Sequence, residues 1–344
     1  MARLANANVR VKSSTSQENV DGGTALQSST WPAEVVHLAV TADEHVREGR
    51  FQRSLSLIAG LSSVLSGLEV AYEHYRGSYS RRIMYTPVIL SGALLAAGLW
   101  GFKSKRAAQT VLPVVSWITL ADGVTGFVFH VRGIHRKPGG WRIPVVNMIM
   151  GPPVFAPLLF GVSAYLGIIA THLRREDQPG DHKLPLPAHP HHWAARLPRR
   201  PSHEKISWKQ DIREGRFQKH MAVATAVAAF FSGAEAWYSH YKNRFRYKVQ
   251  YTPLVVAPAL MIAAGAATRS RRAAHTWLPA ASGLAIANGS IGFFYHARGV
   301  MRRPGGLRMP LYNIMYGPPI FAPLLFAASG FIGLLASLLR REHE

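Results

Sequence analysis

Eight apolar stretches, each long enough to cross a bilayer as a helix, restrict this chain more than any other feature. They run at about 55–75, 85–102, 108–131 and 145–172, and again at about 221–241, 251–267, 274–297 and 311–339. A hydrocarbon core of ~30 Å needs roughly 20 residues at 1.5 Å of rise each. Inside it a backbone must satisfy its own hydrogen bonds, which leaves helices as the form. The glycines and prolines within the stretches fit membrane helices. Composition agrees only when taken locally: 48% of the chain is hydrophobic and 17% charged, but polar residues at 1–43 and 176–208 dilute the mean hydropathy to +0.03.

The stretches come as two quartets. The string R-E-G-R-F-Q occupies 47–52 and returns at 213–218, an offset of 166 that also pairs Glu69 with Glu235, His74 with His240, His130 with His296 and Asn147 with Asn313. Without a gap, about 55 of roughly 130 aligned positions are identical, which reads as an internal duplication. Four crossings per copy give both copies the same orientation, related by an axis along the membrane normal. The expected fold is therefore all-α and integral to the membrane: eight transmembrane helices in two tandem, same-orientation four-helix bundles. A disordered polar tail (1–43) precedes repeat 1 (44–176), a Pro/His-rich linker (177–208) and repeat 2 (209–344).

Charge sets the orientation and excludes one class of partner. The net charge of +22 would suggest nucleic acid in a soluble chain, but here the cations sit in short loops between apolar stretches, suited to anionic headgroups, and no nucleic-acid module is visible. Basic residues flank both ends of the helices. The linker adds Lys183, Arg196, Arg199, Arg200, Lys205 and Lys209 to the side of the termini, so the positive-inside tendency places termini and linker in the cytoplasm of a cell with a plasma or inner membrane. The first residues lack the apolar core of a signal peptide, leaving the first apolar helix as the insertion signal. With no cysteine, disulfides, thiolate metal sites and Cys nucleophiles are excluded. No phosphate loop, H-E-x-x-H or G-x-S-x-G motif is present, so any enzymatic role is that of a membrane subunit beside a catalytic or electron-transfer partner.

The polar residues shared by the copies gather at one end. His74/His240 close the first helix of each copy and His130/His296 the third, with Tyr85/Tyr251, Arg132/Arg298 and Asn147/Asn313 at the same level. Each histidine lies seven residues after a glycine, within about 20° of the same helix face: Gly67 before His74, Gly123 before His130, Gly233 before His240 and Gly289 before His296, with Gly126 and Gly292 between. Such faces admit a flat cofactor, making the four histidines candidate ligands of haem b; they serve helix packing equally well. Glu69, Glu235 and Asp122 are intramembrane carboxylates and candidates for proton transfer, with Arg132 or Tyr85 as expected partners of Glu69. In the fourth stretches Pro152 is expected to open the regular helix and Pro157 to kink it or free carbonyls. The histidines at 182, 189, 191, 192 and 203 form a weak metal-binding tract in an exposed spacer.

Two four-helix units with polar ends on one side resemble quinone-handling membrane subunits of respiratory oxidoreductases. That resemblance implies a redox membrane subunit binding haem b or quinone near the external face. A transporter or channel using Glu69, Asp122 and Glu235, weakened by the same-way repeat and by the lack of visible broken-helix pairs, and a non-catalytic scaffold are the rival expectations.

Overall fold

The computed structural model describes residues 31–177 and 208–342; the linker histidines and the first 30 residues lie outside them. It is helical throughout, with no strand among the described residues. The contacts divide the chain into one unit up to Val40 and a second from Thr41 onward. Helix α1 (Trp31–Arg47) begins within the stretch expected to be a tail.

Residues 44–177 supply α2 (Gln52–Arg76), α3 (Thr86–Lys103), α4 (Lys105–His135), α5 (Pro144–Ile149) and α6 (Ala156–His172). Residues 208–342 supply α7 (Trp208–Arg213), α8 (Gln218–Lys242), α9 (Thr252–Arg269), α10 (Arg271–His275), α11 (Trp277–Met301), α12 (Pro310–Met315) and α13 (Ala322–Leu338). Four helical segments, Gln52–Arg76, Arg82–Lys103, Lys105–His135 and Lys248–Arg269, are long and apolar enough to cross a membrane; Ala156–His172 and Ala322–Leu338 are shorter apolar helices.

The helices alternate in direction. A Cβ on Gly60 would meet Leu95, and one on Gly98 would meet Ser56, so α2 and α3 run antiparallel. Gly123 likewise faces Pro157 and Gly167 faces Ser116 across α4 and α6. In the second half α8 packs on α9 and α13, and α11 on α9 and α13. The core is lean: alanine, leucine, serine and glycine let backbones approach closely, which suits helices whose association in lipid rests on van der Waals contact.

Both fourth stretches are broken. Instead of one span over 145–172, six residues of α5 are followed by Gly151-Pro152-Pro153, and the regular helix resumes at Ala156. Pro157 therefore stands in the first turn of α6, where its missing donor costs nothing, and starts the helix instead of kinking it. The second half repeats this with α12, Gly317-Pro318-Pro319 and α13. The third stretch differs between halves: α4 runs unbroken through Pro113, whereas its counterpart is interrupted at Thr276.

The two halves meet along a seam with two distinct ends. At the end nearest the chain's linker, Gly49 and Gly215 lie back to back; a Cβ on Gly49 would fall 2.6 Å from the Arg213 carbonyl oxygen and from the Gly215 nitrogen. Phe51 and Phe217 stack at 6.4 Å beside them. Arg174 donates to the carbonyls of Glu48 and Arg213, and Arg340 donates to that of Glu214. Toward the other end, α6 packs on α8 and α13 on α2.

Candidate functional site

The broken helices explain why the seam is polar. Breaking α5 from α6 exposes the amides of the first turn of α6, which no helix carbonyl can satisfy. Glu235 of α8 supplies the acceptor from the other half: its Oε1 accepts the Phe155 backbone N–H at 2.8 Å, and the Ala156 amide also bonds to it. Glu69 of α2 holds the same relation to the Phe321 amide before α13. Each carboxylate thus caps the broken helix of the opposite half, with the positive end of the helix dipole in front of it.

One turn further along α2 and α8 the exchange continues. The Tyr72 hydroxyl donates to the Gly317 carbonyl at 3.2 Å, and the Tyr238 hydroxyl to that of Gly151 at 3.1 Å. A cation stands over each ring: the Arg76 guanidinium 5.5 Å from the Tyr72 centroid, and the Lys242 ammonium 5.0 Å from that of Tyr238. Glu73 approaches Arg76 at 3.9 Å and lies within electrostatic range of Glu69, Glu235 and Lys242. Phe155 stacks on Phe231 at 4.9 Å, closing the apolar side of the Glu235 site.

The sequence singled out Glu69 and Glu235 but not their partners. Arg132 and Tyr85, expected beside Glu69, are replaced in that role by the Phe321 amide; Tyr85 stacks on Tyr79 at 4.3 Å, and its counterpart Tyr251 on Phe245 at 4.4 Å. Tyr72, Tyr238, Arg76 and Lys242 went unnoticed. Both tyrosines are identical at the 166-residue offset, the one signal available for them.

Asp122 lies outside the seam: its Oδ1 accepts the Thr86 hydroxyl at 2.6 Å, and Asn288 donates to Thr252 at 2.6 Å. The two helices are bonded through the same pair of positions with and without a charge, the threonine donating in one half and accepting in the other. Asn147 and Asn313 each donate to two carbonyls of the preceding loop, Pro138 and Gly140 in one half and Pro304 and Gly306 in the other. Arg132 and Arg298 make no side-chain hydrogen bond among the described residues.

The histidines come together within each half, in ring contact in the second and within electrostatic range in the first. His240 and His296 stand with ring centroids 6.3 Å apart and planes at 89°. Nδ1 of His130 lies 2.5 Å from the Pro153 oxygen, Nδ1 of His296 2.5 Å from that of Pro319, and Nδ1 of His74 2.7 Å from that of Met84. Those contacts leave the Nε2 atoms of His74, His130 and His296 available, but the faces that would admit a porphyrin are filled. Gly67 lies against Ser91, Gly233 against Ala257, Gly123 and Gly126 against Pro157, and Gly289 and Gly292 against Pro323. The glycines serve close helix contact, and haem does not fit on these faces. No three His, Asp or Glu side chains converge into a metal site among the described residues.

No family model, curated protein or solved structure matches this chain, so its site is read from its own geometry.

Proposed function

We propose that this chain is an eight-helix membrane protein of two duplicated, like-oriented four-helix bundles, with termini in the cytoplasm, and that it works as a proton-coupled transporter or channel along the seam between them. The observation that carries the reading is the 2.8 Å bond from the Phe155 amide to Glu235, made across the halves to the start of a broken helix and matched by Glu69 and Phe321. Serine or asparagine could cap these helices without placing a carboxylate in an apolar seam. A carboxylate adds a cap that a proton can switch. Protonation removes the charge facing the helix dipole and weakens the amide bond, freeing one half to move against the other.

Broken helices meeting at the interface of two halves support this reading, because discontinuous helices typically form the sites of membrane transporters and irregular backbone is tolerated in a membrane only where it lines a cavity or is buried in protein. The test is flux in liposomes under an imposed pH gradient. Glu69→Gln and Glu235→Gln keep an oxygen that can accept the amide bond and remove the titration. The double variant is expected to lose pH-driven flux by at least about tenfold with its melting temperature little changed; wild-type flux in that variant overturns the reading.

The paired histidines favour a second reading, a redox membrane subunit working with an electron-transfer partner and a quinone. Its test is whether reduced quinone in the membrane passes its two electrons to an added soluble electron acceptor, releasing two protons, in a manner that requires this protein and that His130→Ala and His296→Ala abolish.

A further inference from the structure

The two seam mouths are not equivalent. Between the end of α5 and the end of α8 opens a cleft of about 550 Å³ lined by Ile149, Met150, Tyr241, Lys242, Arg244 and Phe245. Two cations share this lining with four apolar or aromatic side chains, and no acidic residue belongs to it. Met150 and Tyr241 remain 65% and 49% exposed, so apolar surface lies open next to the charges. Arg244 and Phe245 occupy consecutive left-handed backbone positions, φ 54° and 45°, and Ser78 and Tyr79 do the same in the other half at φ 60° and 43°, so the turn is common to both mouths and only the side chains differ.

Among the corresponding residues of the other half, Ser78 replaces Arg244 and Tyr316 replaces Met150. That mouth has one cation fewer, and Tyr316 packs on Tyr312 with centroids at 4.8 Å. Charge and apolar area therefore coincide at the Glu235 mouth.

We propose that this cleft binds an amphipathic anion: an acidic headgroup held by Lys242 and Arg244, with its apolar body along Ile149, Met150, Tyr241 and Phe245. The size suits a small organic ligand, and cations beside apolar walls select its charge. Glu73 lies within electrostatic range of Lys242, while Arg244 makes no ion pair among the described residues. The Lys242 ammonium donates to the Tyr238 hydroxyl at 3.3 Å, which bonds to Gly151 four residues before the amide held by Glu235. The ligand site is thus linked to the Glu235 cap through Tyr238 and the segment between Gly151 and Phe155, and on the transport reading the ligand is the substrate.

Binding is measured separately from transport, on detergent-purified full-length protein titrated with decanoate, decyltrimethylammonium and acetate. Decanoate is expected to bind at least tenfold more tightly than the other two, and Lys242→Gln/Arg244→Gln to weaken it at least tenfold. Should that variant fail to fold, Met150→Trp fills the cleft with both charges kept and is expected to abolish binding. Equal binding of the cationic amphiphile, or decanoate affinity unchanged by either variant, overturns the proposal.

Nanodiscs distinguish the two sources of such an anion. Loss of decanoate binding in phosphatidylglycerol but not phosphatidylcholine discs assigns the cleft to a lipid headgroup; equal binding in both assigns it to a soluble organic acid. Flux that depends on Glu235 without decanoate binding removes this inference and leaves the transport reading standing; binding without flux does the reverse.

Discussion

Gly49 and Gly215 show how much one missing side chain can decide. Both sit in the left-handed region, at φ 69° and 71°, and each turns the chain into the first long helix of its half. A Cβ on Gly215 would lie 2.5 Å from the Arg47 carbonyl oxygen and 2.8 Å from the Gly49 nitrogen, so either side chain would push the two backbones apart at this contact. Alanine at either position is expected to cost roughly 2–4 kcal/mol, from left-handed strain plus the clash, read as a lower melting temperature in detergent. Gly92 supplies the contrast: it is helical with open space around it, so Gly92→Ala is expected to be neutral or stabilising by up to about 1 kcal/mol. The R-E-G-R-F-Q string recurs at an offset of 166, yet nothing in either occurrence showed that their glycines meet. Contact between copies of one motif leaves no mark on sequence spacing.

Among the helices, ends matter more than middles. The interiors follow from apolar length, and α2, α3 and α4 begin and end within about four residues of the stretches read from sequence. The fourth stretches were legible in part: Pro152 marked a helix start close to the observed one at Ala156, but hydropathy is blind to the break itself, since 145–172 is apolar throughout while Gly151-Pro152-Pro153 withholds two amide donors after α5. Glu235 was legible as a carboxylate in an apolar stretch; its partner was not, because it is a main-chain amide 80 residues away. The linker-side ends carry caps of the same chemistry. Glu176 accepts the amides of Arg53 and Ser54 at the start of α2, and Glu342 those of Lys219 and His220 at the start of α8. Burial pushes the Glu342 carboxyl up, but bonds from the His220 ring and the two amides more than offset it and hold it below the usual carboxylate range. A folded-state pKa below the unfolded one stabilises above the unfolded value and is lost as pH falls through the folded one. Melting temperature is therefore expected to fall on acidification below about pH 4.3, and Glu342→Gln to flatten that acid limb. An acid limb unchanged by the substitution would remove Glu342 as its source.

For the molecule as a whole, the decisive question is which loops share a side of the membrane. Helices that alternate in direction put the α2–α3 and α4–α5 loops at one end with their counterparts after α8 and α11, and the α3–α4 connection at the other end with both α6 and α13 exits. The charge pattern follows that division: residues 77–85, 136–144, 243–251 and 302–310 hold no Asp or Glu, whereas acidic residues accompany the basic ones at Glu48, Glu176, Asp177, Glu214 and Glu342. A chain without cysteine allows this to be tested one residue at a time in an otherwise unaltered background. Cysteines placed at Ser80, Lys137, Arg246 and Arg303 are expected to react together with an impermeant maleimide added from one side, and cysteines at Ser104, Asp177 and Ser270 only from the other. If the sites after α2 and α4 label from opposite faces, the helices do not cross in the proposed order, the two glutamate caps cannot lie at matching depth, and the seam ceases to be a route through the membrane.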